Sequence, residues 1–247
     1  MSKNNDVAAI ILAGGQGTRF RQVIGNDSQK VLYPVGGKPL IQYSTDLLHI
    51  NNVSHLVFNL GYKAKDVETW VLEQKFSQRV SFSPQSEWSI YNAVVGGVGK
   101  TDEDTIICCN ADEIRLGLNI AEVIDFHRQH GRLMTMVGAF RNCLSRHRLL
   151  HTREDGLLVS SQYNSNEFEK NQQVTGLVNA GFTIFNRHAV EMFDANHHSN
   201  GWDALLDPLC SANEIVVFSQ QILTFFNVGT LEELIGAEQF FYSDTNQ

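Results

Sequence analysis

The sequence predicts an α/β protein: a mostly parallel mixed sheet flanked by helices, with a smaller β-rich C-terminal part. Three observations carry this prediction. Apolar runs and amphipathic segments alternate over roughly the first 140 residues, the order that a parallel sheet with helical crossovers requires. A glycine-rich loop follows the first apolar run directly. Beyond that first part the pattern changes to closely spaced strand-like runs with a hairpin turn.

Val7–Leu12 is a short apolar run that ends in glycines, and it reads as a buried strand. Lys38–Ile50 follows Gly36–Gly37 and has Pro39 in its first turn, which predicts a helix. His55–Leu60 is the next strand, Ala64–Lys75 the next helix and Val80–Ser83 a third strand. A short helix over Ser89–Val95 precedes a strand over Thr105–Asn110. Ile120–His130 is helical and Leu133–Phe140 strand-like. In the second part, Leu149–Thr152 and Leu157–Gln162 flank the turn Arg153–Gly156 as a hairpin would. Leu177–Phe185 is a strand that leads to a helix at Arg187–Phe193, and Asp194–Gly201 is a polar loop. A helix over Trp202–Cys210 and strands over Glu214–Phe218 and Ile222–Phe226 follow. Thr230 and Glu233 form a capping box that opens the last helix, Leu231–Tyr242. The expectation is one domain over residues 1–247, with a nucleotide-binding half (1–140) and a substrate half (141–247).

Composition narrows the function. The 247 residues carry 19 basic and 27 acidic side chains, a net charge of −8, and 43% are hydrophobic. That balance argues against a general nucleic-acid binder, which carries a basic face. A few local cations still suffice for a small anionic substrate. Cys108, Cys109, Cys143 and Cys210 form no Cys-x-x-Cys pair, so neither a zinc ribbon nor a disulfide framework is expected. No signal peptide and no apolar run of membrane-spanning length is visible, so a cytoplasmic enzyme is expected.

The chemistry concentrates in Leu12-Ala13-Gly14-Gly15-Gln16-Gly17-Thr18-Arg19. Glycines there let backbone N–H groups approach an anion closely, and Arg19 and Lys30 add positive charge. Two other phosphate motifs fail. A dinucleotide fingerprint counted from Gly15 meets Phe20 where its last glycine belongs, and the second strand closes on Asn59-Leu60 rather than an acid. Gly99-Lys100-Thr101 imitates a P-loop tail, but Val94 stands at the first glycine, so a helix-to-strand turn is expected.

The block Gly14–Arg19, Lys30 and Pro34-Val35-Gly36-Gly37-Lys38-Pro39 resembles the hallmark of the sugar-1-phosphate nucleotidyltransferases, the NDP-sugar pyrophosphorylases. Asn110-Ala111-Asp112, Phe168-Glu169-Lys170, Leu177-Val178-Asn179-Ala180-Gly181 and Asn227-Val228-Gly229-Thr230 resemble further motifs of that family in the same order. The look is that of the heptose- and mannose-1-phosphate guanylyltransferase branch, and GTP is the first nucleotide that branch suggests. The resemblance implies a Rossmann-like fold and nucleotidyl transfer from an NTP to a sugar 1-phosphate, giving an NDP-sugar and pyrophosphate. By resemblance, Arg19 and Lys30 hold the triphosphate and stabilise departing pyrophosphate. Leu12, Ala13, Gly14, Gly15, Gly17, Thr18 and Gln85 bind nucleotide. Lys170 grips the sugar phosphate, while Glu169, Asn179 and Gly181 belong to the sugar side. Asp112 and Asn227 are the metal positions, with Mg²⁺ as the expected cofactor. The partners are then an NTP and a sugar 1-phosphate, not nucleic acid or a membrane, with a homo-oligomer left open.

Simpler readings stand beside these. Asp112 with Glu113 fits a loop carboxylate pair, Lys170 a solvated lysine and Asn179 a turn cap. His197-His198 fits an exposed loop better than a metal site, and Glu87-Trp88 fits either a base platform or plain surface. The sequence also departs from the family. Asn227 stands in place of a second metal-binding aspartate, Gln29 replaces the proline before the lysine, and Asn171 replaces the proline after Glu169-Lys170. The segment Ser83–Tyr91 lacks the Gly-Thr that lets backbone approach a base. Asn227 favours, as a second reading, a catalytically weak nucleotide-sugar-binding regulatory or sensor protein of the same fold. A glycosyltransferase with Asn110-Ala111-Asp112 as a degraded D-x-D motif is a third, against which the Gly14–Lys30 block argues.

Overall fold

A computed structural model describes residues 6–25, 29–51, 53–143, 148–163, 174–197, 199, 201–220 and 224–244. The first strand, β1 (Val7–Leu12), enters the glycine loop, and α1 (Thr18–Ile24) follows it. A 3-10 turn at Lys30–Leu32 leads to the short strands β2 (Pro34–Val35) and β3 (Lys38–Pro39) and then α2 (Leu40–Ile50). The chain continues through β4 (His55–Leu60), α3 (Ala64–Glu73), β5 (Arg79–Pro84), α4 (Ile90–Val98) and β6 (Thr105–Asn110). Next come β7 (Glu113–Leu116), α5 (Ile120–His130), β8 (Met134–Cys143), β9 (Arg148–Thr152), β10 (Leu158–Tyr163) and β11 (Val174–Asn186). A 3-10 segment (Arg187–Met192), α6 (Asp203–Ser211), β12 (Ile215–Gln220), β13 (Thr224–Asn227) and α7 (Leu231–Asp244) complete it.

Among the described residues, nine strands form one sheet. β5, β4, β1 and β6 lie side by side and parallel. β11 runs antiparallel to β6 and to β8, and β12 runs parallel to β8. Only β11 therefore runs against its neighbours along this path. The β9–β10 hairpin joins it through one pair, Val178 opposite Leu149. Side chains alternate between two faces because successive Cβ atoms point oppositely along a strand. Ala9, Ile11, Ile107 and Cys109 pack on one face under α2, α3 and α5. Ile10, Leu12, Ile106 and Cys108 pack on the other under α4 and α6. The adjacent cysteines are thus two core residues on opposite faces, as their apolar setting suggests.

Several elements differ from expectation. The predicted helix at Lys38 begins two residues later, at Leu40, because Lys38–Pro39 pair with Pro34–Val35. Gly36 and Gly37 close that pairing with φ of 56° and 84°, the left-handed values that a two-residue hairpin turn demands. Arg187–Met192 is 3-10 rather than α-helical. α1 and β7 were not visible as periodic segments, whereas β13 (Thr224–Asn227) overlaps the strand expected over Ile222–Phe226. β7 and β13 form a separate small antiparallel sheet, in which Asn227 lies opposite Glu113. At the start of α7, Glu233 N–H donates to Thr230 Oγ1 (3.4 Å), but the Glu233 carboxylate accepts from Gly229 N–H (2.8 Å). Gly99-Lys100-Thr101 is the expected turn after α4: Lys100 N–H and Thr101 N–H bond back to Gly97 and Val98. Among the described residues, no helix is long and apolar enough to cross a membrane.

Candidate functional site

The segments that follow β1, β5 and β6 at their carboxyl ends, with the 3-10 turn at Lys30, line a cleft of about 200 Å³. β1 carries the glycine loop to its edge. Ala13 N–H bonds Asn59 O (3.1 Å), and Gly14 O accepts from Tyr62 N–H (3.0 Å), so the loop is tied to the end of β4. Gln29 reinforces the tie from behind. Its buried amide nitrogen donates to Ala13 O (3.2 Å) and Tyr62 O (2.8 Å). That is what the residue does where the family pattern has proline. Leu12, Gly15 and Gly17 line the cleft, and a Cβ on Gly15 would meet open space. A Cβ on Gly14 would overlap the Trp88 ring, so only glycine fits there.

Lys30 sits in the 3-10 turn under Gly17 with only 8% of its surface exposed. Its ammonium reaches Asp112 Oδ2 at 2.5 Å, across 82 residues of sequence. Both line the cleft, with Asn110. Burial pushes the Asp112 carboxyl up, but the Lys30 charge and hydrogen bond, with Arg115 behind, outweigh it and hold the group below the usual carboxylate range. Arg19, by contrast, is exposed on α1 and Thr18 is exposed beside it; neither lines this cleft. Gln85 also stands apart, donating to Ser83 Oγ (3.1 Å) and packing on Gly96 of α4.

Asp112 and Glu113 do not act as one loop pair. Glu113 turns inward onto Arg115 Nη2 (2.5 Å), and Asn110 Nδ2 (3.1 Å) and Asn227 Nδ2 (3.2 Å) donate to its other oxygen. Burial pushes its carboxyl up to about 7, with Asp112 adding to the rise and Arg115 opposing it. The Asn227 amide nitrogen is therefore committed to Glu113. Its Oδ1 lies beside Gly229: a Cβ there would be 3.4 Å from that oxygen and 3.9 Å from Lys30 Nζ. Asp112 pairs with Lys30 in the cleft, while the Asn227 oxygen lies by Gly229 outside the cleft lining; the two positions carry one negative charge between them. This set suits a hard cation that keeps waters and shares substrate oxygens.

Arg115 was missed in the sequence. It is buried and donates to Ala180 O (2.6 Å) and Gly181 O (2.6 Å), fastening β11 to the acid cluster. The available signal was the spacing Glu113-Ile114-Arg115, opposite charges on one face of a strand. Asn179 Oδ1 accepts from Gly181 N–H (2.8 Å), the turn-capping role among its alternatives. Gly181 has φ of 58°, and a Cβ there would collide with the Glu113 carboxylate. The β11–β8 register shifts between Asn179 and Thr183, so Asn179-Ala180-Gly181 is a bulge aimed at the acid cluster. Glu169 and Lys170 lie outside the described residues, as do Asn171 and His198. His197 is not solvated as an exposed loop would have it: its side chain is 11% exposed and bonds Asp207 Oδ2 (3.2 Å).

Comparison with known proteins agrees with this architecture. Residues 9–138 match the family model described as the MobA-like NTP transferase domain. A probable glucose-1-phosphate cytidylyltransferase of Bacillus subtilis is 23% identical over 85% of this chain and 87% of its own length. A D-glycero-alpha-D-manno-heptose 1-phosphate guanylyltransferase of Aneurinibacillus thermoaerophilus is 23% identical over 74% and 76%. The crystal structure of HddC from Yersinia pseudotuberculosis complexed with GMP-PN superposes with a TM-score of 0.75 at 22% identity, covering 96% of this chain and 99% of that one.

Proposed function

The chain belongs to the MobA-like NTP transferase domain family, and from that premise we propose that it transfers a nucleotidyl group from an NTP to a sugar 1-phosphate. The observation that carries this reading is the Lys30–Asp112 pair at the glycine loop, inside the cleft. A phosphate oxygen of the sugar phosphate attacks the α-phosphorus of the NTP. The bond to the β-phosphate oxygen breaks, pyrophosphate leaves, and an NDP-sugar remains. No covalent enzyme intermediate is needed. Catalysis of this kind is alignment and neutralisation of several phosphate oxygens brought close together.

The residues divide that work. Backbone N–H groups of the Gly14–Gly17 loop cradle the triphosphate, with Gln29 holding the loop to the end of β4. Lys30 exchanges Asp112 for phosphate oxygens and stabilises the charge on departing pyrophosphate. Arg19, exposed on α1, closes on the outer phosphates. Lys170 and Glu169 hold the sugar phosphate, and Arg115 keeps the Asn179–Gly181 bulge in place. Asp112 and Asn227 would hold Mg²⁺, which when bound neutralises nucleotide phosphate oxygens.

A panel of four NTPs against several sugar 1-phosphates, scored by pyrophosphate release with Mg²⁺ present, tests the proposal. Release that requires both substrates is expected, with GTP tried first. Binding of a nucleotide sugar without release from any pair favours the second reading, a regulatory or sensor protein. One observation supports that alternative: the Asn227 amide is engaged by Glu113, which leaves Asp112 as the carboxylate of the metal position.

A further inference from the structure

The cleft has two unlike walls. Lys30, Asn110 and Asp112 make one, and it is polar and charged. Leu12, Trp88 and Ile90 make the other, and it is apolar. A nucleoside triphosphate has the same division, an anionic chain at one end and a flat, weakly polar base at the other. We propose that Trp88 is the surface against which the nucleobase packs, an inference that rests on the nucleotidyl-transfer reading and assigns one of its specificity residues.

The seat of Trp88 is built for a fixed ring. Gly14 and Gly61 leave the room it occupies: a Cβ on Gly14 would overlap the indole, and one on Gly61 would come within 2.9 Å of it. Its inner side packs on the core beneath α4 with Ile90 and Tyr91. Immediately after it, Ser89 caps α4 by accepting from Asn92 N–H (3.0 Å), which anchors the chain at that point. A half-buried indole pinned on glycine backbone, beside the loop that would cradle phosphates, is a preformed stacking surface. Aromatic faces take any base, since every base has a π-face, and such stacking contributes substantially to affinity. The segment around Trp88 lacks the glycine that would let backbone approach a base, so in this chain recognition falls to the side chain.

Equilibrium binding by calorimetry on the full chain tests this, with no sugar phosphate present. The probes are the tightest-binding of the four NTPs and inorganic tripolyphosphate, against wild type, Trp88→Ala and Trp88→Phe. Trp88→Ala should weaken NTP binding about 5- to 100-fold and leave tripolyphosphate binding unchanged, and Trp88→Phe should recover most of the loss. NTP binding unchanged in Trp88→Ala, or Trp88→Phe no better than alanine, overturns the proposal. Equal loss for NTP and tripolyphosphate also overturns it, because Trp88 then only props the glycine loop. If wild type binds none of the four NTPs, the nucleotidyl-transfer reading itself fails; binding by wild type that is indifferent to Trp88 refutes this inference alone.

Discussion

Replacing Asn227 by aspartate probes the acid cluster directly. The wild-type amide nitrogen donates to Glu113 Oε1 at 3.2 Å, and the β7–β13 register sets the two residues opposite each other. The substitution exchanges that donor for a second carboxylate. Two full charges at this separation repel by about 5 kcal/mol at an effective dielectric near 20. Protonating Glu113 avoids most of that cost, because burial already pushes its carboxyl up to about 7. At pH 8, one unit above that value, protonation costs about 1.4 kcal/mol. Losing the amide donor adds up to about 1 kcal/mol, part of which an acid–carboxylate hydrogen bond restores. The expected destabilisation is about 2 kcal/mol at pH 8 and under about 1 kcal/mol at pH 6. For a chain of this size that corresponds to a Tm lower by about 4–8 °C at pH 8 and by a few degrees at most at pH 6. Thermal melts of both proteins at the two pH values and fixed ionic strength decide it. An equal loss at both, or no loss at pH 8, would falsify the placement of the Asn227 amide on Glu113.

Lys30→Ala or Arg19→Ala should lower turnover by ~100-fold or more while the fold persists, since on the proposed reading each removes a cation that neutralises developing charge; near-wild-type pyrophosphate release from both variants would sink the phosphate-cradle assignment. Lys170→Ala should raise the KM for sugar phosphate far more than that for NTP, and equal movement of the two would remove Lys170 from the acceptor side. Gly181→Ala forces a Cβ onto Glu113 at a φ of 58°, so denaturant unfolding should show a loss of about 2 kcal/mol or more; a loss below about 0.5 kcal/mol would mean that the bulge relaxes freely. Glu113 has a folded-state pKa raised to about 7, so the stability it contributes is complete below its ordinary 4.5 and disappears as pH rises through 7. Glu113→Gln should therefore flatten a decline of roughly 3 kcal/mol in unfolding free energy across that interval, and an unchanged slope would assign the decline to another group.

The sequence by itself determined the layered α/β plan, because that plan rests on local period. Val7–Leu12, His55–Leu60, Thr105–Asn110 and Ile120–His130 form the elements that their apolar patterning predicts, residue for residue. The glycine loop and its distance to Lys30 were equally legible, since a backbone cradle is written in consecutive residues. Tertiary structure decided what depends on residues far apart in the chain. Lys30 and Asp112 meet across 82 residues, and Glu113 and Asn227 across 114. No local rule could reveal that one member of the Asp112-Glu113 pair faces the cleft while the other is buried on Arg115. The short β7 is a strand only because it pairs with β13, and Lys38–Pro39 left the helix only because Pro34–Val35 lay opposite. Trp88 read equally well as surface or platform, and only the fold set its ring against Gly14 and Gly61 at the cleft. Periodicity records which face of an element is buried; which distant charge or ring it is buried against is set only when the sheet brings the strand ends together.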